Sequence, residues 1–180
     1  MFQSRNSLAV HHTYTYANAV CGLAARTDAL ELYRAVLDGA VSVYLDRFLN
    51  TPPIPLPDPD GNRDPDAALD DLLETFEVEA DETVGQAGRH AAEYLASGGD
   101  PARLKRALGE ALLREDAGFH PRQNVEAAFA RFDASDGERG RLHLVATARY
   151  LAAHTPTRRE GEQTFRIAER LNRGEAIHEG

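Results

Sequence analysis

Helix start and stop signals recur along this chain, and no segment alternates apolar and polar residues as a half-buried strand would. Asp64-Pro65 and Asp100-Pro101 are two such starts. In each, an aspartate can accept from the first free N–H groups, and the proline follows at a position where its missing N–H costs nothing. Asp28 with Glu31, and Thr157 with Glu160, have the spacing of capping boxes. Gly98-Gly99, Thr155-Pro156 and Gly174 mark stops. Between these signals apolar residues return at the helical period, giving about eight helices. Their approximate bounds are 7–26, 28–50, 64–77, 83–96, 100–116, 121–132, 138–154 and 157–173. The expected fold is an all-α, single-domain helical bundle spanning residues 1–180.

Two features refine that picture. The second helix carries Leu30, Tyr33, Leu37, Val41, Tyr44 and Phe48 in one stripe, with Leu32, Val36 and Val43 to one side. A helix apolar over so much of its surface is expected at the centre of the bundle. Residues 50–64, rich in proline and aspartate, are expected to form an extended strap over the surface. Asp58, Asp60, Asn62 and Asp64 alternate like calcium ligands, but Gly61 and Leu69 fall where a calcium loop needs other residues. Turn chemistry is the expectation there. In the fourth helix, Gly85 and Gly88 predict close approach of a neighbour.

Charge bounds the partners. Asp+Glu 29 against Lys+Arg 20 leaves a net charge of -9, a field that repels phosphate backbones, so no nucleic-acid partner is expected. No apolar run reaches the roughly 18 residues needed to span a bilayer. The N-terminal residues do not read as a signal peptide. Cys21 is the sole cysteine, which excludes an intrachain disulfide and any paired-cysteine metal site. A reducing, cytoplasmic setting is expected.

The densest polar cluster lies where the fifth helix breaks at Gly118. Glu115, Asp116, His120, Gln123 and Glu126 crowd that junction, as a metal or acid/base site or as two capped helix ends. Glu115 and Asp116 sit at a helix C-terminus, where negative charge opposes the dipole, so each calls for a partner: an arginine, a histidine or a metal. His120 can cap the next helix or serve the site. His12 falls on the apolar stripe of the first helix with Leu8, Tyr16, Ala19, Val20 and Leu23, either as a ligand or as a hydrogen-bonded core histidine. His143 and His154 share a face but stand about 16 Å apart along the axis, so at most one joins any site. His90 and Glu93 are one turn apart, as are Glu175 and His178, the latter pair beyond the last helix. Common hydrolase, nucleotide-binding and zinc-protease motifs are absent.

The segments HTYTYANAV (from His12), GAVSVYLDRFLNTPP (from Gly39), LREDAGFHPRQNVEAAF (from Leu113) and ARYLAAHTPTRR (from Ala148) carry a likeness to a known family. In them the chain resembles the helical domain of bacterial proteins that also contain a Rieske 2Fe-2S module, and more distantly the questin-oxidase-like proteins. The resemblance implies a role near electron transfer or oxidation and singles out His12, Asn18, the Glu115–Asp116 and His120–Gln123 junction, and His154. Cys21 stands where the family is expected to have histidine. The paired Cys-x-His ligands of a Rieske cluster are absent, so any such cluster would belong to a separate protein.

The leading expectation is a redox-associated helical domain, a candidate metal-dependent oxidoreductase, whose pocket holds iron through His12, Glu115, His120 and His154. Asn18, Asp116 and Gln123 would support those ligands, and a Rieske-type ferredoxin would supply electrons. The alternative is a non-catalytic helical module for protein interaction or homodimer formation. Haem held by a single histidine is a third reading.

Overall fold

The computed structural model describes residues 3–49 and 55–175, with side chains from residue 9 onward. Among the described residues it is all-helical: α1 (Gln3–Ala24), α2 (Glu31–Asp46), α3 (Pro65–Thr75), α4 (Thr83–Ala96), α5 (Pro101–Arg114), α6 (Phe119–Asp133), α7 (Gly137–Ala152) and α8 (Glu160–Asn172). Among the described residues no helix is long and apolar enough to cross a membrane. The proline starts form as the sequence predicts: Asp64 accepts from the Asp66 N–H at 3.2 Å, and Asp100 from the Ala102 N–H at 2.9 Å. Gly174 closes α8 with φ 77°. Residues 50–54 of the strap and His178 lie outside the described residues.

The hydrophobic core belongs to the segment from α3 to α7. Leu69, Leu72 and Phe76 meet Tyr94 and Leu95 of α4, Leu104 and Leu108 of α5, Val125 of α6, and Leu144 and Leu151 of α7. Gly88 supplies the close approach expected of it, since a Cβ there would collide with the Arg149 side chain of α7. Gly85 has ordinary clearance. The strap's Pro55 carbonyl accepts from Arg149 at 2.6 Å. Asp60 accepts from the Asn62 N–H at 3.0 Å beside Gly61 (φ 69°), an Asx turn in the expected calcium-like stretch.

Three expectations are corrected. α2 is peripheral: none of its residues is buried, and its main packing partner is α1. Its all-round apolarity reflects one side turned to α1 and the other left uncovered. Asp28 does not cap α2, because residues 27–30 form a turn in which the Thr27 hydroxyl accepts from the Ala29 N–H and the helix starts after Leu30. Thr157 does not cap α8 either. That helix starts later, at Glu160, and its first N–H groups are taken by Asp116 from the α5–α6 junction.

α1 couples this outer pair to the core through α6. The side of α1 turned toward α6 and α7 is polar and carries His11, Tyr14 and Asn18 at helical spacing. The stripe read from the sequence, with Tyr16 in it, is turned toward α2: Tyr16 donates to the Ala35 carbonyl at 3.1 Å and lies against Gly39.

Candidate metal centre

His11, His12 and His120 converge where α1 crosses the start of α6, and one ligand nitrogen from each lies within 4.8 Å of the others. Their ring centroids form a nearly equilateral triangle of 5.5, 5.1 and 4.9 Å, each pair edge to face. Three imidazoles on a tetrahedral zinc at ~2.0–2.1 Å have nitrogens roughly 3.3 Å apart, so side-chain rotations of an ångström or so would close the group on an ion.

Burial and bonding set His11 apart. It is 3 % exposed, and neither of its ring nitrogens has a hydrogen-bond partner. His120 Nδ1 is likewise buried and unpartnered. A buried polar atom left unsatisfied costs about 1–3 kcal/mol, and a metal ion is one group that would satisfy several such nitrogens together. Burial, then the imidazoles of His120 and His12, push the His11 pKa down from 6.5 to about 4. The Gln123 amide opposes that shift without forming a well-aligned bond. His11 is therefore a neutral imidazole at neutral pH, the form that binds metals.

The wall beside the triangle comes from α7. Tyr150 stacks on His11 at 5.5 Å and on His154 at 4.3 Å. His154 Nδ1 donates to the Tyr150 carbonyl at 2.7 Å. One layer deeper, Tyr14 O–H pairs with His143 Nδ1 at 3.0 Å, and burial, the largest cause, raises the Tyr14 pKa to about 12.

Of the expected ligands, the structure brings His12 and His120 together, adds His11, and leaves His154 outside the group on the Tyr150 ring. His12 is exposed rather than buried, because the buried position is one residue earlier. His120 lies inside α6, whose first residue follows Gly118, so it caps nothing. Gln123 stands beside His11, while Asn18 donates to Glu126 at 3.1 Å.

Glu115 and Asp116 are committed elsewhere. The Glu115 side chain, 4 % exposed, accepts from Arg159 Nε and Nη2 at 2.9 and 2.7 Å and from the Thr157 N–H and O–H at 2.6 and 2.7 Å. Burial alone would raise its pKa, but the Arg159 and Thr157 bonds outweigh that and hold it low. Asp116 accepts from the Gly161 and Glu160 N–H groups at 2.9 and 2.8 Å, which lowers its pKa. The arginine among the expected partners is thus Arg159, and the two carboxylates tie down α8. His90 instead meets Arg63 at 3.2 Å.

The His11 shift sets a pH dependence. In metal-stripped protein the unfolded chain takes up a proton at this position below pH 6.5 that the fold refuses until about pH 4. The contribution is complete above pH 6.5 and falls away as pH drops through that window. Urea midpoints at pH 7.5, 5.5 and 4.5 should therefore fall more steeply for the natural chain than for His11→Leu. Equal slopes would contradict the assignment.

No protein-family model, curated protein or solved structure matches the chain.

Proposed function

We propose that this protein binds a transition metal through His11, His12 and His120 at the α1–α6 crossing. One observation carries the reading: a buried imidazole with both nitrogens unpartnered faces two further imidazoles at near-ligating separation. The ligands span two helices distant in sequence, so an ion there would pin α1 to the core as well as present its own open positions.

The donor set ranks the ions. Neutral imidazoles suit copper, zinc, nickel and iron, and at equal availability copper(II) binds most tightly and iron(II) least among these. Glu115 is engaged by Arg159, so iron, the ion expected when a carboxylate is in the set, would need oxygen ligands from solvent or substrate. The redox association implied by the resemblance to Rieske-associated proteins requires copper or iron here, with electrons from an outside Rieske-type protein. Zinc would make the centre structural or hydrolytic. When bound, the ion supplies Lewis acidity or an electron-transfer site. The chain's own groups hold it neutral-ligated, shield one side with the Tyr150 ring and leave the His12 side open to solvent.

Elemental analysis of protein made without a histidine tag tests this. About one transition metal per chain is expected, falling below roughly a tenth in His120→Ala. Metal-free protein that stays empty after incubation with copper or zinc, or unchanged content in the variant, would overturn it.

A further inference from the structure

α2 meets α1 with one side only. Its half-buried positions are Leu32, Ala35, Gly39, Ser42 and Asp46, a helical stripe. The opposite side carries Leu30, Tyr33, Leu37, Val41, Tyr44 and Phe48, which are 78, 71, 66, 57, 54 and 66 % exposed. Six side chains of this size offer roughly 800 Å² of surface, the share each partner contributes to a standard protein interface. An apolar patch of that extent marks an interaction surface.

We infer that a second copy of this chain covers the face, with α2 lying antiparallel against α2 of the other copy. The stripe is complementary to itself under a two-fold axis. Reversing the helix about Gly39 sets Leu30 opposite Phe48, Tyr33 opposite Leu45, and Leu37 opposite Val41 of the other copy. It also sets Glu31 opposite Arg47 of the other copy, charges of opposite sign.

Charge supports the same occupant. Two chains of net charge -9 repel over most of their surfaces. Residues 30–48 hold three acids (Glu31, Asp38, Asp46) against two arginines (Arg34, Arg47), and the Arg47 guanidinium lies over the Tyr44 and Phe48 rings at 4.9 and 5.4 Å. The copies can therefore meet here with little repulsion. A lipid surface fits less well, because a helix lying on anionic lipid needs an excess of basic residues along its polar rim.

Analytical ultracentrifugation of the intact chain across micromolar concentrations is the first test. The expected species has twice the 19.7 kDa chain mass. Leu37→Glu with Tyr44→Glu should weaken association at least about 30-fold, as loss of central interface anchors does. Both side chains are exposed in the single chain, so helicity by circular dichroism should persist. In a Cys21→Ser background, Leu30→Cys and Phe48→Cys chains should cross-link when mixed and mildly oxidised, and neither should cross-link alone. A monomer at all concentrations, a dimer unaffected by the glutamates, or a cross-link in one variant alone would overturn the inference.

Discussion

One equivalent of copper(II) or zinc raises the thermal midpoint of metal-stripped protein by about 10 °C, and the same addition leaves His11→Ala and His120→Ala unmoved. The size follows from linkage. An ion present at about a thousand times its dissociation constant stabilises the folded state by about 4 kcal/mol, and about 2–4 °C accompanies each kcal/mol in a chain of this length. The sign follows from the fold. Among the described residues α1 adds none to the main apolar core, though its Val20 is buried, and it meets α6 and α7 through a polar side, His11, Tyr14 and Asn18. Three imidazoles at that joint, two of them with buried unpartnered nitrogens, give the metal-free state something to gain. Differential scanning fluorimetry with and without a chelator measures the shift. An equal shift in the His120→Ala variant would place the ion elsewhere.

Glu115→Ala should detach α8, at a cost of about 3 kcal/mol, while leaving metal content unchanged. None of the α8 residues is buried, so the helix is held chiefly by its first turn. There Arg159 is kept in the left-handed region at φ 53°, a conformation costing about 1–2 kcal/mol in a side-chain-bearing residue. Its guanidinium bridges Glu115 and Glu77, both at 2.7 Å. Removing the carboxylate that is 4 % exposed strands the cation. Breaking a buried pair costs about 3–5 kcal/mol, and the low end applies because Arg159 is 24 % exposed and retains Glu77. Hydrogen exchange should show residues 160–172 losing protection while α4 and α7 keep theirs. Uniform loss across the molecule would contradict this local role, and loss of metal would return Glu115 to the ligand set.

The sequence made the helices legible because their ends are written in local chemistry. Asp64-Pro65 and Asp100-Pro101 cap within a few residues, and Gly88 records its own close approach. What it left hidden depends on which helix meets which. The apolarity of Tyr33, Leu37 and Tyr44 signals burial against something, but periodicity carries no information on whether the partner is the same chain. His12 and His120 were both among the expected ligands, His120 from its place at the Gly118 break. His11 was not among them, because a buried helix face is expected to be apolar and the side of α1 turned to α6 is polar. The available signal was a second histidine next to His12, with His11 three residues before Tyr14 and seven before Asn18. Arg159 stayed hidden because nothing local links it to Glu115, 44 positions earlier.

X-ray absorption at the bound metal's edge tests the three-imidazole centre most directly. It should report three nitrogen neighbours at about 2.0 Å with the outer-shell scattering of imidazole rings, a signal lost with the metal in His120→Ala. A spectrum fitted by oxygen neighbours alone, or one that His120→Ala leaves unaltered, would contradict it.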